Sequence, residues 1–293
     1  MKQLGKLARA YCVERGKHFR LKDYDPADTG GIRSKERATT ALQKSLGQLA
    51  DLQNKLYAQD QWALLLIFQG MDASGKDGVI EHVMAGVNPM GCQAYSFKAP
   101  SSEEQQHDYL WRTMQRIPER RRIGIFNRSY YEEVLILRVH PDLLNNEKIP
   151  PALITKKIWK ERFEDMCAFE TYLTRNGIVV RKFFLNLSKK EQSKRFLARL
   201  DEPIKNWKFS AADIHEREYW NDYMDAYEDM IRNTATPAAP WYVVPADNKW
   251  FTRLVVASAI SDTLEKLNLN YPKLDDSRRK ELEEARKFLE AKH

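Results

Sequence analysis

The chain has 293 residues, of which 43% are hydrophobic and 30% are charged, and its formal net charge is +7. The charged fraction, and the lack of an apolar run near the roughly 18–20 residues needed to cross a bilayer, exclude a membrane protein. The positive charge indicates an anionic partner, and composition leaves nucleic acid, phospholipid and a phosphate-rich small molecule open. Three scattered cysteines and the lack of a secretory signal lead us to expect a cytoplasmic protein.

Helix and strand patterns alternate along most of the chain. A turn-rich stretch at 24–34 follows an N-terminal arm, and leucines then recur at helical spacing over 38–57. Five apolar runs have the character of strands buried on both faces: 62–68, 93–97, 122–126, 177–185 and 241–246. Further helices are predicted between and after these strands: 76–87, 102–116, 152–175, 189–200, 210–232 and 250–267. The alternation predicts an α/β fold with a parallel sheet of about five strands.

The C-terminal stretch predicts one more helix, over 275–293. Its narrow apolar stripe, formed by Leu282, Ala285 and Leu289, either packs on a partner subunit or lies over the body of the protein. We predict three parts, an N-terminal arm, a core and a C-terminal helix: 1–35, 36–270 and 271–293.

A glycine-rich loop follows the first apolar run and opens the next helix. Gly70, Gly75 and Lys76 have the spacing of a phosphate-binding P-loop, with the required strand before it and helix after it. Backbone N–H groups of such a loop, including those of Ala73 and Ser74, bind phosphate oxygens, and the helix N-terminus adds partial positive charge. We therefore predict a phosphate-binding loop in which Lys76 supplies a full charge to the transferring phosphates.

Two carboxylates belong to this loop, although a carboxylate repels phosphate unless a cation lies between them. Mg²⁺ prefers carboxylate, water and phosphate oxygens together, so we predict Asp72 as its ligand. Asp77 is part of the predicted phosphate-binding loop and stands where a P-loop normally carries Ser or Thr. It either holds water on the metal or stabilises the first helical turn through the helix dipole.

The end of the strand predicted at 122–126 is where a P-loop enzyme carries a second acidic residue aimed at the metal. Asn127 stands there and adds no charge, so it would act through its carbonyl oxygen or a metal-bound water. Arg128 follows, and we predict that it neutralises charge on the transferring phosphoryl group.

No Asp or His is set apart as a base that would deprotonate a hydroxyl acceptor. A phosphate acceptor needs no base, because its oxygen is already ionised near neutral pH, and catalysis then reduces to positioning and charge neutralisation. This favours a nucleotide-phosphorylating enzyme over a sugar kinase. His107 and His140 are isolated in the sequence and are interpreted as structural, which favours direct transfer over a phosphoenzyme.

Several motifs, in the right order, make the sequence similar to the polyphosphate kinase 2 family. They are GMDASGKDG at 70–78, GIFNRSYYEEVLILRVHP at 124–141, KKEQSKRFLARL at 189–200 and APWYVVPADNKWFTRL at 239–254. The resemblance implies a three-layer α/β/α P-loop kinase fold with a helical lid, at about 188–212. It also implies Mg²⁺ dependence, reversible phosphoryl transfer between inorganic polyphosphate and nucleotides, and a homodimer or homotetramer.

Two positions resemble one subgroup of that family. The family motif F-D-R-S-W-Y reads F-N-R-S-Y-Y here, and its Asn form, with Asn127, resembles the subgroup that phosphorylates both AMP and ADP. Glu132 matches an acidic position near the nucleotide in that subgroup. The resemblance also implies that Asp72 is metal-associated and that Asp77 belongs to the family's variant loop.

A polyphosphate chain carries about one negative charge per phosphate unit, so its path must be basic. Arg195 and Arg199 lie four residues apart on one face of a predicted helix, and we predict that they and Lys208 bind the chain. Nucleotide binding is assigned to four residues: Lys98, Arg112, Asn127 and Glu132. For Arg112, contact with the acceptor phosphate and a structural role stay open, and Trp111 is interpreted as a core residue.

These predictions combine into a cytoplasmic, Mg²⁺-dependent enzyme that transfers a phosphoryl group from polyphosphate to AMP and ADP, yielding ADP and ATP. The alternative on the same scaffold is an ATP-dependent nucleotide or nucleoside kinase. A nucleic-acid-binding protein is suggested by the net charge alone, because the sequence lacks base-stacking aromatics interleaved with basic residues.

Overall fold

The computed structural model describes residues 7–32 and 34–291, apart from the side chains of Arg37 and Lys208. The described part of the chain contains one six-stranded sheet with these strands: β1 (Cys12–Val13), β2 (Ala63–Gln69), β3 (Cys92–Ser96), β4 (Ile123–Asn127), β5 (Ile178–Asn186) and β6 (Trp241–Pro245). Their order across the sheet is β1-β6-β5-β2-β4-β3. Strands β2 to β6 are parallel, and only the short β1 pairs antiparallel, with β6.

The α-helices of four residues or more are these: α1 (Lys35–Gln59), α2 (Lys76–Met84), α3 (Trp111–Met114), α4 (Ile136–Val139), α5 (Ile158–Arg175), α6 (Lys189–Asp201), α7 (Ala211–Glu216), α8 (Trp220–Thr234), α9 (Lys249–Glu265) and α10 (Asp276–Glu290). Short 3₁₀ segments connect several of them. No helix in the described ranges is long and apolar enough to span a lipid bilayer.

Both faces are covered at β2, β4, β5 and β6, which explains why these strands read as largely apolar runs. The edge strand β3 was also predicted to be buried on both faces, and this is wrong, because Ala94 and Ser96 are exposed. Along β2, Leu64, Leu66 and Phe68 join a core with α1, α2 and α9, whereas Leu65 and Ile67 join a second core with α5 and α8. Successive side chains of a strand point to opposite faces, so burial on both sides demands apolar residues at every position. The predicted three-layer α/β/α fold is confirmed.

The register of the sheet brings the carboxyl ends of the central strands together. Phe68 of β2 is opposite Asn127 of β4 on one side and Phe183 of β5 on the other. Residues that follow these strands therefore meet at one edge, as they do in other open parallel sheets.

The helix predicted over 102–116 is largely absent from this described segment. A 3₁₀ turn at Glu104–Gln106 and the four-residue α3 replace it. The side chain of Asp108 accepts a hydrogen bond from Leu110 N at 2.9 Å, and such local side-chain bonds compete with the helical ladder. The stretch 210–232, predicted as one helix, is divided into α7, a 3₁₀ turn and α8.

The two predicted terminal parts differ in their contacts. Strand β1 places Cys12 and Val13 of the N-terminal arm on the edge of the sheet, a pairing too short for the sequence to reveal. No residue of α10, which is described throughout, is buried, and Leu282 and Leu289 of its stripe are exposed. The structure therefore shows no burial of the stripe on the body, and packing on a partner subunit stays a prediction, as does the three-part division.

Leu66 tests how much the sheet core contributes to stability. Leu66 is fully buried in β2, so Leu66→Ala should lower the free energy of unfolding by about 2–5 kcal/mol through lost burial and a residual cavity. The matched control is Leu153→Ala, at a leucine that is 60% exposed and lies outside the α10 stripe, expected to change stability by less than about 0.5 kcal/mol. Urea unfolding measures both, and equal losses would contradict the described packing.

Candidate active site

The loop between β2 and α2 has the backbone of a phosphate-binding turn. Gly70 has φ 151° and Gly75, the N-cap of α2, has φ 100°, both in the region that favours glycine. A Cβ atom at Gly70 would lie 3.0 Å from Leu185 O and 2.9 Å from Ser74 Oγ, so the loop also packs closely on β5. Ala73 has φ 61°, a strained conformation for a residue with a side chain.

Lys76 curls back over this loop. Its Nζ donates to Gly70 O at 2.6 Å and lies 3.4 Å from Met71 O, and only 9% of the residue is exposed. Burial lowers the pKa of Lys76, while the nearby negative charge of Asp72 acts to raise it. A phosphate oxygen would be a stronger acceptor for this ammonium than a carbonyl oxygen is, because it carries charge.

Ser74 presents a buried hydroxyl with no hydrogen-bond partner in the described part of the chain. The residue is 1% exposed and lines the cavity described below. Buried polar atoms are usually paired, so this hydroxyl is an exception, and its Oγ atom lies on the Gly70 side of the loop.

Residues at the end of β4 contact both loop carboxylates. Asn127 Nδ2 donates to Asp77 Oδ1 at 2.5 Å, and Arg128 Nη2 lies 2.9 Å from Asp72 Oδ1. Arg128 has φ 64°, and its N–H donates to Phe68 O at 3.0 Å, which fixes the chain as it leaves the sheet. The structure therefore brings together the loop and the two residues that the sequence placed opposite it.

Glu132 lies in the 3₁₀ segment Tyr130–Val134 that follows Arg128. With the amide of Gln69 oriented to satisfy its neighbours, Gln69 donates to Glu132 Oε1 at 2.7 Å and accepts from Ser129 N at 3.2 Å. Burial raises the pKa of Glu132, and the charges of Arg128 and Lys76 oppose that rise. Glu132 is thus held close to both cations, although it is not among the described residues that line the cavity.

A cavity of about 910 Å³ opens above the loop. The described residues that line it include eight cations: Lys76, Lys98, Arg128, Arg195, Arg199, Lys205, Lys249 and Arg253. They include three carboxylates: Asp72, Asp77 and Asp213. Burial and the nearby Asp72 raise the pKa of Asp213, which forms an ion pair with Arg199 at 3.2 Å. This excess of cations fits an anion with several charges better than it fits a neutral ligand.

Sequence reasoning missed two of these cations, Lys249 and Arg253, which line the cavity from the first turns of α9. Burial lowers the pKa of Lys249, and the nearby charges of Arg195, Lys205 and Arg253 lower it further. The Nε atom of Arg253 is buried and has no partner among the described residues. The sequence did contain a signal for them: two cations lie one helical turn apart at the start of a predicted helix, where the helix dipole is unfavourable for positive charge.

Arg195 holds the loop from the side of α6. Its Nε donates to Glu191 Oε1 at 3.0 Å, and its Nη atoms donate to four carbonyl oxygens: Ala73 (2.9 Å), Ser74 (3.0 Å), Ala246 (2.6 Å) and Asp247 (3.2 Å). The structure therefore gives Arg195 a positioning role, since these contacts engage every N–H group of its guanidinium. Direct phosphate binding by Arg195 and Arg199 stays a prediction, and the side chain of Lys208 lies outside what the structure describes.

Arg112 and Lys98, both predicted to bind nucleotide, have different positions. Lys98 is exposed and lines the cavity. Arg112 is buried, pairs with Glu133 Oε1 at 3.1 Å and donates to Lys98 O at 2.6 Å. Of the two readings left open for Arg112, these contacts favour the structural one, in which it supports the backbone that carries Lys98.

A model of the family described as Polyphosphate kinase 2 (PPK2) matches residues 32–272. The chain belongs to the polyphosphate kinase 2 family. It is 52% identical to the ADP-polyphosphate phosphotransferase of Rhodopseudomonas palustris, over 93% of this chain and 98% of that protein. It is 41% identical to the AMP/ADP-polyphosphate phosphotransferase of Meiothermus ruber, over 90% of this chain and 95% of that protein.

A solved structure of the polyphosphate kinase 2 family supports the same assignment. The fold matches the crystal structure of Polyphosphate Kinase 2 from Arthrobacter aurescens TC1 with a TM-score of 0.86 and 40% sequence identity. The match covers 94% of this chain and 95% of that one. The family resemblance and the P-loop kinase fold predicted from the sequence are therefore confirmed.

Arg195 provides a test of how this family member supports its loop. Arg195→Met would leave four carbonyl oxygens and Glu191 without their donor, so we expect a loss of about 3–5 kcal/mol in unfolding free energy. Lys190→Met, at an exposed lysine of the same helix, should change stability by less than about 0.5 kcal/mol. Urea unfolding compares the two variants, and a similar loss in both would show that Arg195 does not brace the loop.

Proposed function

We propose that this protein transfers a phosphoryl group from inorganic polyphosphate to AMP and to ADP, and that the reaction is reversible. The proposal rests on two features of the cavity. Its floor is the phosphate-binding loop, and its wall at α6 and α9 carries four cations: Arg199, Lys205, Lys249 and Arg253. Phe97 is the only aromatic residue among the described residues that line the cavity. A donor made of phosphate alone suits such a wall, whereas the adenine of an ATP donor would favour apolar or aromatic surface.

The names of the relatives support the choice of substrates. One relative is named for ADP and another for both AMP and ADP, and each name includes polyphosphate. In the proposed complex the nucleotide lies toward Lys98 and Asn127, at the ends of β3 and β4, while Glu132 is bound by Gln69 outside the cavity lining. The polyphosphate chain runs from the loop along the opposite wall, where Arg199 and the α9 cations line the cavity.

Catalysis in this arrangement is positioning and charge neutralisation. Lys76 and Arg128 would each offset negative charge that spreads over the transferring group in an in-line displacement. Arg128 already has a fixed orientation, because Asp72 pairs with its guanidinium and Phe68 O accepts its backbone N–H. The acceptor phosphate attacks directly, since its oxygen carries charge and requires no base.

The residues at the loop fit Mg²⁺ as a cofactor that substrate helps to bind. Among the described residues no three His, Cys, Asp or Glu side chains form a metal-binding group. Mg²⁺ commonly uses one or two carboxylates and completes its shell with water and substrate phosphates, and the unpaired Ser74 Oγ is a further oxygen near the loop. Asp72 would hold the ion, with Asp77 and Asn127 acting through water, and the ion would supply positive charge between the phosphates.

The proposed surroundings of the enzyme are less specific. We propose a cytoplasmic location, supported by three free cysteines. We also propose a homo-oligomer, supported by the exposed apolar stripe of α10. Nucleic acid is not proposed as a partner, because no second aromatic ring lines the cationic cavity among the described residues.

The direct test supplies the enzyme with Mg²⁺, polyphosphate and either AMP or ADP, and follows ADP and ATP by chromatography. We expect ADP and ATP from AMP, and ATP from ADP, without any nucleoside triphosphate donor. An ATP-dependent kinase, the rival on the same scaffold, would phosphorylate nucleotide from ATP and leave polyphosphate untouched. Lys76→Ala should lower kcat by about 10²-fold or more in a protein that remains folded, since it removes charge stabilisation from the transition state.

The α9 wall tests which substrate lies there. Lys249→Ala with Arg253→Ala should raise KM for polyphosphate about tenfold or more and leave KM for ADP within about twofold, because two charged contacts to the donor are lost. The matched control is Arg279→Ala with Lys280→Ala on the exposed α10, expected to change neither constant. Equal increases in both KM values, or no change in either, would contradict the proposed path.

A further inference from the structure

Two charged residues lie in the interior, on the side of the sheet that α5 and α8 cover. Lys182 of β5 is 0% exposed and Glu170 of α5 is 1% exposed, and Lys182 Nζ lies 2.6 Å from Glu170 Oε2. Lys182 Nζ also donates to Thr234 O at 2.8 Å and lies 5.2 Å from the centre of the Trp241 ring. Burial lowers the pKa of Lys182, and the charge of Glu170 opposes that shift.

The second carboxylate oxygen of Glu170 holds two tyrosines. Tyr130 OH donates to Glu170 Oε1 at 2.8 Å and Tyr131 OH donates to the same atom at 2.6 Å. Lys182 Nζ in turn donates to Tyr131 OH at 3.0 Å. Both tyrosine side chains are fully buried, and the hydroxyl group of each uses this carboxylate as its hydrogen-bond acceptor.

These tyrosines lie between two residues of the active site. Arg128, with φ 64°, precedes them, and Glu132 follows them in the same 3₁₀ segment. A strained backbone conformation persists only where the surrounding structure fixes it. The anchored tyrosines supply that constraint on the interior side, while Asp72 and Phe68 O hold Arg128 on the cavity side.

We propose that Glu170 is a positioning residue, which fixes Tyr130 and Tyr131 and thereby sets the orientation of Arg128 for phosphoryl transfer, and that Lys182 serves to balance the charge of this carboxylate. The geometry separates two parts of this role. The carboxylate of Glu170 is the acceptor that the tyrosines need, and Lys182 balances its charge in a site without solvent. An apolar pair of similar volume could give equal stability, so stability alone does not account for a buried ion pair.

Two double variants separate positioning from stability. Glu170→Gln with Lys182→Met removes both charges and keeps an acceptor for the tyrosines, whereas Glu170→Leu with Lys182→Met removes that acceptor as well. The inference rests on the proposed function, so kcat and KM are measured with polyphosphate and ADP. We expect the Gln/Met variant to keep kcat within about threefold, and the Leu/Met variant to lose about 10–100-fold with KM nearly unchanged.

Repeating the pair in an Arg128→Ala background tests the route of the effect. If the network acts through Arg128, the Leu/Met and Gln/Met variants should differ by less than about twofold in that background. Two results would overturn the proposal. One is a difference in kcat between the two variants that persists in the Arg128→Ala background. The other is a lower kcat in the Leu/Met variant that is explained by a lower melting temperature than that of the Gln/Met variant.

Hydrogen exchange gives a readout that does not depend on the reaction. Amides of residues 128–134 should exchange about tenfold faster in the Leu/Met variant than in the Gln/Met variant, with no difference in α10. Equal exchange in the 128–134 segment would overturn the positioning role. If the Leu/Met variant exchanges faster but the unmodified enzyme forms no ATP from polyphosphate, the positioning role is retained and the proposed function is refuted.

Discussion

The carbonyl oxygens of the turn between β2 and α2 are held largely by side-chain donors, although one backbone N–H of the turn, that of Ser74, is itself engaged by Met71 O at 3.1 Å. Lys76 donates to Gly70 O, Gln192 donates to Asp72 O at 2.9 Å, and Arg195 donates to the next two carbonyls, at Ala73 and Ser74. Side chains from the loop and from α6 thus fix the loop before any ligand arrives. Such preorganisation removes part of the ordering cost of binding, and the remaining features of the site build on it.

The site combines this fixed loop with unequal charge on its two sides. Near β4, each loop carboxylate has a partner, because Asp72 pairs with Arg128 and Asp77 accepts a hydrogen bond from Asn127. On the α9 side, burial lowers the pKa of Lys249 and that of Arg253. Lys249 is close to the like charges of Arg195, Lys205 and Arg253, whereas the nearby Glu81 acts to raise the pKa of Arg253. Cations that lie close together repel one another, and a bound polyanion removes this repulsion. The uneven charge therefore favours a phosphate chain that extends from the loop toward the α9 side.

The strands and the loop, which depend mainly on local sequence patterns, could be predicted from the sequence. The apolar run of β2 and the glycine spacing of the loop were sufficient to predict a buried strand followed by a phosphate-binding turn. The same reasoning predicted that Asn127 and Arg128 lie next to this loop. The functions of arginines were harder to predict, because one residue type binds ligands, braces carbonyls and pairs in the interior. Arg195, Arg112 and Arg253 differ in their surroundings, which only the tertiary structure supplies.

The attachment of α6 to the phosphate-binding loop limits how the lid predicted at about 188–212 can move. Gln192 and Arg195 connect the first half of this helix to loop carbonyls, whereas Leu197, Leu200 and Ile204 beyond them are exposed to solvent. Swinging the whole helix outward would break the bonds that shape the phosphate cradle. An opening movement that keeps these bonds would therefore have to lie beyond Arg195, in the distal part of the predicted lid, while the phosphate-binding loop stays in place.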